Sequence, residues 1–165
     1  MEMKSYLEKF QNSVNRLDKV QFDQKQLNIK VGRWFNSIVL KIQKKSWLNP
    51  SSTKPFEESV FFCVWINAKS TDENKLFYNI HALKLRQLKN YAIKSRDFAT
   101  DFREKFKAFE QNWPNVSTNF GPLTLMEGWV ETDLNSFENT IAELANKFLE
   151  IEFIIDELLE ERKKT

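Results

Sequence analysis

His81 is the residue whose chemistry is most readily placed. It is the single histidine of a 165-residue chain, and imidazole is the side chain whose ordinary pKa lets it exchange a proton near neutrality. If residues 76–86 form a strand, His81 shares a face with Phe77 and Asn79, while Ile80 and Ala82 point to the core. A lone histidine in that setting is more often structural than catalytic. It is therefore expected to line a small-molecule pocket, together with Trp129, and no catalytic residue is assigned.

Other reactive groups are scarce. Cys63 is the only cysteine and lies in an apolar run, so it can form no internal disulfide, and a reducing, cytoplasmic setting is expected. No serine or threonine sits in a glycine-flanked elbow, and three glycines in the whole chain leave no phosphate-cradling loop. Neither His81 nor Cys63 has a partner at metal-ligand spacing, so no cofactor or metal is expected. Nuclease chemistry needs only a few carboxylates and a lysine. Glu127, Glu131 and Asp133, with Lys84 or Arg86 across a sheet, are the residues that it would have to use.

The basic residues make a stronger pattern. From Gln24 to Arg96 there are fourteen Lys and Arg against four Asp and Glu; from Asp97 to Thr165 there are seven against fifteen. Gln24 to Lys45 contains no acidic residue at all. Lys41, Lys44 and Lys45, with Lys25, Lys30, Arg33 and the following Trp47, would suit a phosphate backbone and unpaired bases. Lys84, Arg86, Lys89, Lys94, Arg96 and Arg103 form a second cluster. Arg86, Arg96 and Arg103 could gather an anion at the start of a helix. The alternative is that basic and acidic regions lie side by side in one fold and neutralise each other.

These residues must be positioned by regular elements. Phe137, Ile141, Leu144, Phe148, Ile151, Ile155 and Leu158 follow a four-three spacing, which predicts one helix from Asp133 to Arg162 with Asp133 as its cap. Met3, Leu7, Phe10, Val14 and Leu17 predict a helix over residues 2–19. A second helix is expected over Gln24–Lys45, with Leu27, Val31, Trp34, Phe35, Ile38 and Ile42 inward. The alternation of Leu27, Ile29 and Val31, with Gly32, offers a strand pair there as the competing reading. Asn49–Pro55, bracketed by prolines, reads as a loop.

Ser59–Asn67 is apolar on both parities and predicts a strand covered on both faces. After a polar turn over Lys69–Lys75, Leu76–Arg86 returns as its antiparallel partner. Ser95 is expected to cap a helix reaching Asn112, ended by Trp113-Pro114. Val116–Phe120 and Leu123–Glu131 flank Gly121-Pro122 as a further strand pair. The order is ααββαββα: a single α+β domain, helical over 1–48, with an antiparallel sheet of about four strands and two helices in 56–165.

No apolar run is long enough to span a membrane and no secretory signal is present, so no membrane association is expected. Abundant Phe, Lys, Asn and Ile fit an AT-rich bacterial genome. The expected function is a binding or interaction module. Nucleic-acid or other polyanion binding through 24–96 is one competing reading, and an enzyme with a small-molecule pocket is another. A protein partner fits the first of these readings, and the aromatic richness favours a homodimer narrowly over a self-contained monomer.

Overall fold

Leu27, Ile29 and Val31 alternate with polar neighbours. In the computed structural model of the chain, which describes residues 2–48 and 59–165, that alternation is a strand. β1 (Leu27–Trp34) turns through Phe35-Asn36 and returns as β2 (Ser37–Lys44), pairing antiparallel from Leu27↔Lys44 to Trp34↔Ser37. The helix expected over Gln24–Lys45 is therefore corrected to a hairpin. The reason is legible afterwards: every residue from Ile38 to Lys44 is buried, an unbroken run that the two faces of a strand can bury and one face of a helix cannot. The expected loop at Asn49–Pro55 lies outside the described residues.

β3 (Ser59–Ile66), β4 (Lys75–Leu83) and β5 (Thr124–Glu131) complete one antiparallel sheet in the order β1-β2-β3-β4-β5. Five strands replace the expected four, and the α+β class holds. The β3–β4 pairing agrees with the sequence expectation, from Ser59↔Leu83 to Trp65↔Phe77. The polar turn between them contains a one-turn helix. Asn67 and Ser70 cap each other reciprocally across the start of Ala68–Asp72, and Asn74 at φ 57° reverses the chain into β4. Val116–Phe120 is not a strand: only Ser117 bridges to β5, through two backbone bonds with Glu127.

Helices cover one face of this sheet. In chain order they are α1 (Met3–Val14), α2 (Lys19–Gln24), α3 (Ala68–Asp72), α4 (Ser95–Phe106), α5 (Phe137–Phe148) and α6 (Glu152–Glu160). Their apolar sides meet Ile38, Leu40, Ile42, Phe62, Val64, Ile66, Tyr78, Ile80 and Met126 in one continuous core. All seven residues of the C-terminal seam are buried, as their spacing requires. The seam nonetheless belongs to two helices. Leu149, Glu150 and Ile151 bond three residues back instead of four, and this tightened turn redirects the chain without proline or glycine. α5 packs on α1, where Phe137 meets Tyr6 and Phe10 edge-on at 5.5 and 5.6 Å, and α6 packs on α4.

The caps also differ from expectation. Asp133 accepts the amides of Asn135 and Ser136 in the turn before α5 rather than capping it, and this holds its carboxyl below the usual range. Lys94, not Ser95, precedes α4, with no side-chain cap. No described helix is long and apolar enough to cross a membrane.

Candidate functional site

The odd-numbered residues of β2 to β4, with Glu127, Trp129 and Glu131 of β5, point away from the helices. Antiparallel register lays them in rows across the sheet. One row is Lys41, Cys63, Asn79 and Glu127; the next is Val39, Trp65, Phe77 and Trp129. His81 lies opposite Phe61 and, past an irregularity at Ile80/His81, opposite Thr124. Val39, Phe61 and Cys63 form a second small cluster whose apolar neighbours, Trp34, Trp65 and Leu83, all belong to strands. Among the described residues, no helix packs on this face.

A cavity of about 420 Å³ opens there. Trp34, Phe61 and Trp65 wall it, Cys63, Asn79, His81 and Glu127 supply its polar groups, and Phe35 stands at its rim. The walls are held from the sequence upward. Gly32 lets Trp34 fold back across β1: a Cβ at that position would come within 2.8 Å of the indole. Trp65 is stacked on Phe77 with ring centres 4.8 Å apart and planes 16° from parallel. Phe61 carries the Lys41 ammonium 4.7 Å above its ring centre and meets the His81 ring at 5.4 Å.

The polar groups are tied to one another. Asn79 donates from Nδ2 to Glu127 Oε1 at 3.1 Å, which turns its Oδ1 away from the carboxylate. Among the described residues that buried Oδ1 has no hydrogen-bond partner, a costly state for an amide oxygen. Gln43 Nε2 donates to the Val60 carbonyl at 3.1 Å. Burial pushes the Cys63 thiol far up, so it stays protonated and is no thiolate nucleophile. Burial lowers Lys41 to about 8, with Lys30 adding to the effect and Cys63 opposing it. Burial also lowers His81 below 6.5, against the Leu123 carbonyl and the Glu127 charge, so its ring is neutral at pH 7. The arrangement can stack a flat ring on aromatic walls and read its edge with an amide, a carboxylate and a neutral imidazole.

The residues singled out from sequence are dispersed. His81 lines the cavity. Trp129 shares the face but holds the Lys75 ammonium 4.3 Å over its own ring instead. Lys41 lies buried on the open face, whereas Lys44 points to the helix side. There Glu152, 2.7 Å away, and Asp156 hold the Lys44 charge above its ordinary range although burial opposes it. Trp47 Nε1 donates to the same Asp156 at 2.8 Å. Lys45, Arg86 and Arg96 are exposed. Arg103 donates to the carbonyls of Phe120, Gly121, Thr124 and Leu125, so its guanidinium clamps a loop.

Of the carboxylates weighed for a nuclease, Glu127 faces the cavity and Asp133 holds a turn. Among the described residues, no three His, Cys, Asp or Glu side chains gather as a metal site. The basic and acidic regions meet across the fold through Lys25 and Lys44 with Glu152 and Lys44 with Asp156, while Lys105 with Glu157 and Glu161, and Arg162 with Asp101, pair within the acidic region.

Sequence reasoning missed Trp34, Phe61, Trp65 and Asn79 as a group. The parity of Phe77, Asn79 and His81 was the available signal, but the facing row on β2 was hidden while Gln24–Lys45 read as a helix. Comparison with protein-family models, with curated proteins and with solved structures finds no match for this chain.

Proposed function

We propose that this chain is a binding module whose ligand is a small, flat molecule seated on the open face of the sheet. The observation that carries the reading is the 420 Å³ cavity itself, with apolar walls and a few polar groups at one side. That volume and lining are typical of small-molecule sites. Catalysis is not part of the reading, because burial holds the Cys63 thiol protonated. Polyanion binding is disfavoured by the ion pairs that consume Lys25 and Lys44 and by the carbonyls that hold Arg103. A reducing cytoplasmic setting fits the lone buried Cys63.

The test is a fragment screen of flat heterocycles read by amide chemical shifts of the labelled protein. Binding should move signals from residues 34–43, 61–67, 77–83 and 124–129 and leave α1 and α4–α6 unmoved. Hits confined to the helical side, or none at millimolar concentration, refute the reading.

A further inference from the structure

Phe35 is the least expected residue of the cavity. It is 93% exposed, the most exposed large apolar side chain among the described residues. Its backbone sits at φ 55°, in the left-handed region that a side chain of this bulk rarely enters. It occupies the first position of the two-residue loop joining Trp34 to Ser37, a place where positive φ normally selects glycine. An aromatic residue here costs solubility and strains the turn, and it forms no core contact in return. Such an outlier points to function when it stands at a site, and Phe35 stands at the mouth of the cavity, next to Trp34.

We infer that Phe35 is a ligand-contacting residue, the outer wall of an aromatic slot, and that the slot selects planar heterocycles over saturated molecules of the same size. The inference rests on the binding reading above. Trp34, Trp65 and Phe61 offer the inner walls, fixed by Gly32, by the Phe77 stack and by the Lys41 contact. Phe35 adds the face that the sheet cannot supply. A ring between two aromatic walls gains stacking on both sides, while a puckered ring of equal volume gains only contact with one. Glu127 and Asn79 then favour a ring that carries N–H donors at its edge, since a carboxylate only accepts and the Asn79 Oδ1, without a partner among the described residues, is an acceptor too. An aminated or lactam-bearing heterocycle of one or two rings is the ligand class.

The experiment uses the full chain and its Phe35→Gly and Phe35→Asn variants. Glycine and asparagine tolerate the left-handed conformation, so both should raise the thermal midpoint, by roughly 1–4 °C. The probes are 2-aminobenzimidazole, guanosine, cyclohexanol and a single-stranded oligonucleotide, titrated by calorimetry. The two aromatic probes should bind the unaltered protein, cyclohexanol should not, and both variants should weaken the aromatic probes about tenfold, the scale of one lost stacking partner. If the aromatic probes bind all three proteins equally, the Phe35 slot falls and the cavity stands. If neither binds the unaltered protein, the binding reading falls with the slot. Binding of the oligonucleotide alone, lost in the variants, overturns the small-ligand slot in favour of a nucleic-acid wedge. Variants that bind weakly but are also less stable overturn it too, because Phe35 would then be a structural residue.

Discussion

Lys41 and Cys63 face each other across β2 and β3, and their titrations should push stability in opposite directions. Lys41 falls from 10.5 to about 8 in the folded chain. Between those values the unfolded chain keeps a proton that the folded chain has released, so rising pH favours folding. At 1.36 kcal/mol per unit, the gain is at most about 1.4 kcal/mol at pH 9 and about 2.6 kcal/mol at pH 10. Water reaching the ammonium lowers both figures. Cys63 acts the other way. Its thiol, ordinarily at 9.0, ionises in the unfolded chain while the folded one stays protonated. That costs the fold about 0.4 kcal/mol at pH 9 and about 1.4 kcal/mol at pH 10.

The wild-type protein should therefore gain up to about 1 kcal/mol from pH 7 to 9 and then level off. Lys41→Met should show only the decline, and Cys63→Ala only the rise. The assay is urea denaturation at half-unit steps from pH 7 to 10. Burial also raises the Tyr78 hydroxyl, ordinarily at 10.0, so its ionisation in the unfolded chain subtracts about 0.4 kcal/mol from all three proteins by pH 10 and more beyond, where the series stops. Comparing variants cancels groups titrating elsewhere. A difference between wild type and Lys41→Met that is constant across this window, or that shrinks with pH, refutes a buried, partly discharged lysine on the open face.

Two predictions concern the scaffold. Phe148 is fully buried, stacked on Phe62 at 4.6 Å and edge-on to Trp47 at 6.0 Å. Phe148→Ala should cost about 3–5 kcal/mol in urea denaturation, and a loss under about 1 kcal/mol would place the C-terminal seam outside the core. α1 and α5 pack on each other within the chain, so those two faces are not free to form a dimer. Light scattering at micromolar concentration should give the 19.7 kDa of one chain, and twice that mass would show that another surface associates.

The C-terminal seam was legible because seven apolar residues on one helical stripe have few alternative homes. The break between α5 and α6 was not, since a run of i−3 bonds at Leu149–Ile151 needs no special residue type. The β1–β2 hairpin was misread for a related reason. Leu27, Val31, Trp34, Ile38 and Ile42 satisfy helical spacing, and the unbroken burial from Ile38 to Lys44 is what decides for a strand. Its loop, Phe35-Asn36, carries no glycine to announce a turn. The candidate site followed the same fate. His81 and Asn79 were placed on one face from β4 alone, but a cavity is a property of register between strands, and Lys41, Cys63 and Glu127 come together only when four strands are aligned. Net charge by region was legible, yet its meaning depended on Glu152 and Asp156 returning to Lys44 from more than a hundred residues away.

The two faces of the sheet handle unfavourable groups differently, and that contrast bears on function. On the helix side, the buried Lys44 is met by two carboxylates, and Tyr78 reaches over Gly128 to donate to the Pro114 carbonyl at 2.7 Å. Among the described residues the Trp113 indole nitrogen lacks a partner there, while Glu152 Oε2 has the Lys44 ammonium 2.7 Å away. On the open side the costs gather: a lysine whose charge is disfavoured, a phenylalanine in left-handed backbone and, among the described residues, an amide oxygen left unbonded and apolar rings with no helix over them. A face needed only to close a fold would replace these with a short apolar row, and each replacement is a common residue type. Local conflicts of this kind persist where something outside the fold rewards them. A ligand that stacks on Trp34 and Trp65 and meets the Glu127 edge would offset several of them at once, which is why the open face, and not the basic segment that contributes β2 to it, is the part of the molecule to probe first.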